Sequence, residues 1–188
     1  EQATHAYEQA RQTVANYFNI DANELVWTKG ATEAINLVAN GLTEQLDNDS
    51  TIIISALEHH ANIVPWQQLA KRTGAKLLAL PLQKNGSFDV QACVEFISQH
   101  KPSVLAITHA SNALGNITDL DPILHAAKRH DAITLVDGAQ AALHLQPNLP
   151  QLGCDFYVFS AHKMLGPTGL VGLYGRYDRL NSLAVSQT

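Results

Sequence analysis

The chain contains seven short, continuously apolar runs, and helical stretches lie between most of them. Continuous apolar runs indicate strands buried on both faces, as in a mostly parallel sheet covered by helices on its two sides. The last two runs are too close together for a crossover helix, so one of them is predicted to be antiparallel. The sequence therefore predicts an α/β fold with a doubly wound, mostly parallel seven-stranded sheet that has one antiparallel strand. The predicted strands are residues 24–28, 51–55, 76–80, 104–108, 133–136, 156–159 and 170–174.

Helical periodicity predicts an opening helix over residues 1–18, and a glycine turn at Gly30 leads into a second predicted helix that ends near residue 39. The chain has 188 residues, of which 46% are hydrophobic, and this is enough for one domain with a substantial core. We therefore expect one domain, with ligands bound at the carboxyl ends of its strands. Further helices are predicted over residues 63–72, 89–99 and 120–129.

The composition argues against several classes of partner. The net charge is −5 and no basic patch is visible, so nucleic acid is not an expected partner. No apolar run approaches the roughly 20 residues that cross a bilayer, so no membrane span is expected. The N-terminus lacks the basic and apolar regions of a signal peptide, and we expect a cytoplasmic protein. Cys93 and Cys154 are isolated, so both are predicted to be reduced.

Two strand ends carry an amine and a carboxylate. Lys163 follows the sixth run in the polar turn Ser160-Ala-His-Lys163, and Asp137 directly follows the fifth. A lysine that attacks a carbonyl carbon must lose its proton, and partial burial lowers its pKa. Enzymes that use pyridoxal phosphate combine a Schiff-base lysine with an aspartate that keeps the pyridine nitrogen protonated. The alternatives are an Asp137 that caps the next helix and a solvated turn at residues 160–163.

Three other strand ends are candidates for the same site. Gly30 precedes a helix start at Ala31 and Thr32, where backbone N–H groups and a hydroxyl could bind a phosphate; a simple capped helix is the alternative. His59 could stack on an aromatic ring or move protons, or it could be a surface residue. A zinc site is less consistent with adjacent histidines, and no metal is predicted. Asn112 lies in a polar segment after the fourth run, and this segment could also be an ordinary loop.

Four segments together resemble the class V aminotransferase family of fold-type I pyridoxal phosphate enzymes, most closely its cysteine desulfurase and selenocysteine lyase branch. The resemblance covers essentially the whole chain. The segments are Glu58-His-His-Ala-Asn-Ile-Val-Pro-Trp66, Thr108-His-Ala-Ser-Asn-Ala-Leu-Gly115, Val136-Asp-Gly-Ala-Gln140 and Asp155-Phe-Tyr-Val-Phe-Ser-Ala-His-Lys-Met-Leu-Gly-Pro-Thr-Gly169.

The resemblance implies a role for each candidate residue. Lys163 would form the Schiff base and Asp137 would pair with the pyridine nitrogen, while His59 would stack on the ring and act in catalysis with Lys163. The remaining implied contacts are Gln140 with the ring hydroxyl, Asn112 at the edge between ring and substrate, and Ala31, Thr32, Ser160 and His162 with the phosphate.

The family's reaction converts L-cysteine to L-alanine and leaves the sulfur as a persulfide on an enzyme cysteine; L-selenocysteine is the related substrate. The resemblance also implies a homodimer and a protein sulfur acceptor. The family's nucleophilic cysteine and carboxylate-binding arginine have no match here. We therefore expect residues 1–188 to be the cofactor-binding large domain, without the small domain and a short N-terminal segment, and inactive alone. A transaminase, a carbon–sulfur lyase or a non-catalytic domain are the alternatives.

Overall fold

The computed structural model describes residues 2–55, 60–109, 119–160 and 170–184. There are also two short 3₁₀ turns. Ala22–Glu24 directly precedes the first strand, and Thr43–Gln45 follows the second helix. The helices are α1 (Gln2–Phe18), α2 (Ala31–Gly41), α3 (His60–Thr73), α4 (Val90–His100), α5 (Asp121–Lys128), α6 (Ala142–Leu145), α7 (Leu149–Leu152) and α8 (Tyr177–Ser182). The strands are β1 (Leu25–Thr28), β2 (Thr51–Ile54), β3 (Lys76–Ala79), β4 (Val104–Thr108), β5 (Ile133–Asp137), β6 (Phe156–Ser160) and β7 (Val171–Gly175).

The seven strands form one sheet in the order β1-β7-β6-β5-β4-β2-β3. Strands β3, β2, β4, β5 and β6 are parallel, whereas β7 pairs antiparallel with both β6 and β1. The predicted fold class is therefore confirmed, and β7 is the antiparallel strand that the short spacing before it indicated. Each predicted strand differs from the observed one by no more than one residue at either end.

Each face of the sheet carries its own hydrophobic core. One face, which we call the α1 face, packs against α1, α4 and α5, and its largest buried side chains include Phe18, Tyr157 and Phe159. The other, the α2 face, packs against α2 and α3 and buries Trp66 and Phe156. Because both faces are covered, the central strands need apolar residues at every position, which explains their continuous apolar sequence.

Local sequence signals define several element ends. The Asp89 carboxylate accepts the Ala92 N–H at 3.0 Å and caps the first turn of α4. Asn148 caps α7 in the same way through the Gln151 N–H, at 3.1 Å. In α3, the buried Trp66 indole donates to the Asn62 side-chain oxygen at 2.8 Å, which satisfies a donor that would otherwise be costly to bury.

In the described part of the chain, no helix combines the length and apolar character needed to cross a membrane.

Candidate cofactor site

Five strands end in polar residues at one edge of the sheet. Strands β2, β4, β5 and β6 are parallel, and β1 runs in the same direction because both β1 and β6 are antiparallel to β7. Their carboxyl ends therefore meet at the same edge, which is where doubly wound folds bind ligands. The residues at or just after these ends are Thr28, Ser55, Thr108, Asp137 and Ser160.

Four of these residues share the α2 face. Successive side chains of a strand point to opposite faces, and these four fall on the same side as the apolar residues that pack beneath α2 and α3. They are Thr28, Thr108, Asp137 and Ser160. Thr28 and Ser160 both lie opposite Val171 of β7, so about 10 Å separates them across the intervening strand. Helix α2 follows Thr28 after two residues, so its N-terminus lies at this edge and on this face.

The N-terminus of α2 has the properties of an anion site. Gly30 is its N-cap residue and provides no side-chain cap, and the Glu33 carboxylate of the first turn accepts the Lys29 N–H at 2.6 Å. The Thr28 hydroxyl instead donates to the carbonyl oxygens of Gly30, at 3.2 Å, and Val171, at 3.3 Å. A β-carbon at Gly30 would meet no atom within 4 Å, so there is open space where the helix begins. The backbone N–H groups at Ala31 and Thr32 are therefore candidates to bind a phosphate.

Asp137 ends β5 between the polar ends of β4 and β6 and is half-buried. Its carboxylate accepts the Ala139 N–H at 3.0 Å, which folds residues 137–139 into a turn. Helix α6 begins only at Ala142, and its N-cap residue Ala141 makes no side-chain cap. Asp137 therefore caps the helical turn that begins at Gly138, in which the Ala142 N–H donates to the Gly138 carbonyl oxygen, and this turn leads into α6. The carboxylate lies on the same face of the sheet as the start of α2. One ligand could therefore place a phosphate at α2 and a ring nitrogen near Asp137.

The other predicted site residues divide into two groups. Gln140 is exposed in the turn after β5, and Ser160 is half-buried at the end of β6. With Ala31, Thr32 and Asp137, they belong to segments that end or begin at the same edge. His59, Asn112, His162 and Lys163 lie outside the described residues. The zinc alternative at His59 also falls there; among the described residues, no group of three or more histidine, cysteine or acidic side chains could hold a metal ion.

Neither cysteine has the properties of a nucleophile. Cys93 and Cys154 are both buried in the α1-face core, as small apolar residues would be. Burial raises the pKa of the Cys93 thiol to about 11, and Asp89 acts in the same direction. Burial also raises the pKa of Cys154 well above its ordinary value. Nucleophilic attack requires the thiolate, so these two thiols are unreactive at neutral pH.

A buried histidine–tyrosine pair beneath the site was not predicted from the sequence. His109 follows Thr108 and is 6% exposed, and its Nδ1 lies 2.9 Å from the hydroxyl of the fully buried Tyr157. The His109 N–H also donates to the Asp137 carbonyl oxygen at 2.9 Å. The sequence carried one signal for this: His109 continues the alternation of Leu105 and Ile107, which places it on the buried α1 face.

The buried His109 is expected to make the stability of the domain depend on pH. Burial lowers its pKa below the ordinary value, although Asp121 acts in the opposite direction. As the pH falls below about 6.5, the unfolded chain therefore binds a proton that the folded domain does not. The free energy of unfolding should then decrease as the pH falls, until the pH reaches the lower pKa of His109 in the folded state. The His109→Asn variant should not show this part of the decrease.

Urea unfolding between pH 8 and pH 5 measures this effect. His125 on the exposed side of α5 provides the matched control, because its side chain stays in water on folding. The difference in unfolding free energy between the parent chain and His109→Asn should shrink toward pH 5, and by more than the difference for His125→Asn does. A constant difference for both variants would contradict a neutral, buried His109.

Comparisons with known proteins agree with this geometry. The family model for aminotransferase class-V matches residues 1–187. A probable cysteine desulfurase of Halalkalibacterium halodurans is 45% identical over 183 residues, covering 96% of this chain and 45% of the relative. The structure of the cysteine desulfurase CsdA from Escherichia coli superposes with a TM-score of 0.92 at 40% identity, covering 100% of this chain and 47% of that one.

A more distant structure extends the comparison. The cystine C–S lyase C-DES, solved as a mutant with glycine covalently linked to its PLP cofactor, superposes with a TM-score of 0.85 at 27% identity, covering 95% of this chain and 47% of that one. The chain thus spans about half the length of the relatives it matches. With a family match over residues 1–187 and the same fold in its relatives, this chain belongs to the class V aminotransferase family.

Proposed function

We propose that residues 1–188 form the pyridoxal phosphate-binding large domain of a cysteine desulfurase. The observation that carries the proposal is the position of Asp137, whose carboxylate ends β5 on the same edge and face as the N-terminus of α2. That arrangement offers an acid for the ring nitrogen and backbone N–H groups for the phosphate of one ligand. The cysteine desulfurases among the relatives make this ligand and this reaction the best candidates.

The phosphate would bind where α2 begins. The backbone N–H groups of Ala31 and Thr32 would donate to it, and the positive end of the helix dipole favours its charge. The hydroxyls of Thr32 and Ser160 would donate as well, since Ser160 ends β6 on the same face. We propose His162 as a further phosphate ligand, from the motif that follows Ser160.

Residues at or after the ends of the parallel strands would hold the ring. Asp137 would hold a proton on the ring nitrogen, Gln140 would hydrogen-bond the ring hydroxyl, and Asn112 would orient the ring and the substrate. His59 would stack on the ring's outer surface. When bound, pyridoxal phosphate supplies an electron-accepting ring that stabilises the negative charge left by removal of the substrate's α-proton.

Lys163 would attach the cofactor and then act as the base that removes the α-proton of L-cysteine. In the overall reaction, the substrate's carbon–sulfur bond breaks, a proton replaces sulfur on that carbon to give L-alanine, and the sulfur bonds to a cysteine thiolate as a persulfide. Cys93 and Cys154 are too buried to be that thiolate. We therefore propose that the accepting cysteine and the carboxylate-binding arginine come from a small domain, so that residues 1–188 alone would be inactive.

The remaining assignments extend the same proposal. L-selenocysteine would be the alternative substrate, because selenium replaces sulfur at the same position. The protein would act as a cytoplasmic homodimer and pass its sulfur to an acceptor protein. The C–S lyase among the structural relatives makes a lyase the second candidate function, and it would use the same cofactor site. A transaminase or a non-catalytic domain remains a further alternative.

Cofactor attachment tests the proposed site directly. Pyridoxal phosphate added to the chain should produce visible absorption, and borohydride reduction followed by peptide mapping should find the label on Lys163. The Lys163→Ala variant should bind the cofactor without being labelled. If circular dichroism shows a folded chain that neither absorbs nor becomes labelled, the site does not assemble and the non-catalytic alternative is favoured.

Product analysis separates the two enzymatic candidates. A desulfurase keeps the substrate's amino group and yields alanine, whereas a lyase also releases the amine and yields a keto acid. L-cysteine supplied to the protein together with its small domain should therefore yield alanine and a persulfide. Formation of pyruvate without alanine would favour the lyase.

A further inference from the structure

We propose that His109 and Tyr157 are positioning residues that hold the Asp137 turn from beneath, and so set where its carboxylate meets the ring nitrogen of the cofactor. This inference rests on the proposed function, because it concerns the same carboxylate. Neither residue lies on the face of the sheet where the cofactor would bind. Both act through the backbone that carries Asp137.

Tyr157 occupies the space directly under the residue that follows Asp137. A β-carbon at Gly138 would lie 2.1 Å from both the Tyr157 Cζ atom and its hydroxyl oxygen. The end of the phenol ring therefore fills the place where any larger residue would put its side chain, and the backbone of Gly138 rests on it. The ring cannot shift toward solvent, because Tyr157 is fully buried and packs near Phe18 at a centroid distance of 6.4 Å.

His109 holds the end of that ring. Its Nδ1 is 2.9 Å from the Tyr157 hydroxyl, and the two rings meet edge to face with centroids 5.8 Å apart. The His109 backbone N–H donates to the Asp137 carbonyl oxygen, and the Gly138 N–H donates to the Val158 carbonyl oxygen at 2.8 Å. Strands β4, β5 and β6 are thus linked around the turn by two backbone hydrogen bonds and one side-chain hydrogen bond.

His109 and Tyr157 are both uncharged at neutral pH, so they can support the Asp137 turn without changing the charge of the site. Burial lowers the pKa of His109, so the imidazole is neutral at pH 7. Burial raises the pKa of Tyr157, and the charge of Asp137 acts in the same direction, so the phenol keeps its proton. A neutral pair adds no second charge beside the carboxylate. The phenol can then donate to Nδ1 while the imidazole proton resides on Nε2.

Loss of this hydrogen bond should affect the cofactor more than the fold. Tyr157→Phe keeps the ring under Gly138 but leaves the His109 Nδ1 without its buried partner. The turn then loses one of its constraints, and displacements of about 1 Å in a positioned group can cost a hundredfold in function. We expect a smaller displacement here, with pyridoxal phosphate bound about tenfold more weakly, since one neutral hydrogen bond is involved.

The test compares Tyr157→Phe with Tyr174→Phe in the full chain. Tyr174 lies directly opposite Tyr157 in the sheet register and is also buried, so the control removes the same hydroxyl one strand away. Two quantities are measured: the Kd for pyridoxal phosphate, and the ¹⁵N chemical shift of its labelled ring nitrogen. Tyr157→Phe should weaken binding and move the nitrogen signal toward the unprotonated position. Tyr174→Phe should change neither.

A second pair of variants, at His109, tests the same hydrogen bond if Tyr157→Phe does not fold. It also tests whether His109 and Tyr157 act together. His109→Gln keeps an acceptor and should retain most of the parent nitrogen shift, whereas His109→Leu should resemble Tyr157→Phe. The double variant His109→Leu/Tyr157→Phe should be no worse than either single variant, because no buried polar atom is left unpaired. An unchanged Kd and nitrogen shift in both Tyr157→Phe and His109→Leu would overturn the proposed support. If the parent chain itself binds no cofactor, the proposed function fails and the support role fails with it.

Discussion

Asp155→Ala is expected to lower the free energy of unfolding by about 3 kcal/mol, because it removes a buried acceptor and two ion pairs together. The Asp155 side chain, just before β6, is 6% exposed, and it lies 3.2 Å from the guanidinium groups of both Arg176 and Arg179. It also accepts the Thr134 N–H at 2.9 Å and the Thr134 hydroxyl at 3.2 Å. We expect the lower end of the range for broken buried pairs, because both arginines keep partial access to water.

Asp178→Ala is the matched control for this prediction. Asp178 pairs with the same Arg176 at 2.9 Å, but its side chain is 62% exposed. Exposed pairs contribute about 0–1 kcal/mol, so this variant should remain close to the parent chain. Urea unfolding of both variants, followed by circular dichroism, measures the difference. An equal loss of unfolding free energy in the two variants would mean that burial of Asp155 does not determine how much these ion pairs stabilise the domain.

Asp137→Asn is expected to reduce the proposed desulfurase activity by roughly 10²–10³-fold, the loss typical when a charge-stabilising group is removed. The asparagine oxygen can still accept the Ala139 N–H, so the turn should persist. Its neutral amide cannot hold a proton on the ring nitrogen, and the ring then accepts electrons poorly. The rate of alanine formation, measured in the protein together with the proposed small domain, should therefore fall much more than cofactor affinity.

Gln140→Ala provides the comparison. Gln140 follows Asp137 in the same turn region and is proposed to make a neutral hydrogen bond with the ring, which contributes about 0.5–1.5 kcal/mol. Its loss should weaken cofactor binding by roughly two- to tenfold and reduce the rate by a similar factor. The ¹⁵N shift of the ring nitrogen should change in Asp137→Asn and not in Gln140→Ala. Similar rates for the two variants would contradict the role proposed for Asp137.

Much of the fold could be predicted because its signals are local. Continuous apolar runs identified all seven strands, and the short spacing before Val171–Gly175 indicated the antiparallel strand. In the structure, Thr32, Asp137 and Ser160 belong to segments that begin or end at one edge of the sheet, and their roles there stay predictions. Two details of the site depended on contacts that the sequence did not show: Asp137 accepts the Ala139 N–H in the turn before α6, and the Thr28 hydroxyl donates to two carbonyl oxygens.

The sequence by itself determined the strands, the helices α1 to α5 and the placement of polar residues next to strand ends, because each depends on a pattern within a few residues. Only the tertiary structure decided the order β1-β7-β6-β5-β4-β2-β3, which places α2 beside the strand that ends in Ser160. It also decided which distant side chains meet. His109 and Tyr157 are 48 residues apart, and Asp155 reaches Arg179 across 24 residues. Such contacts depend on how whole strands and helices pack, and no local pattern encodes them.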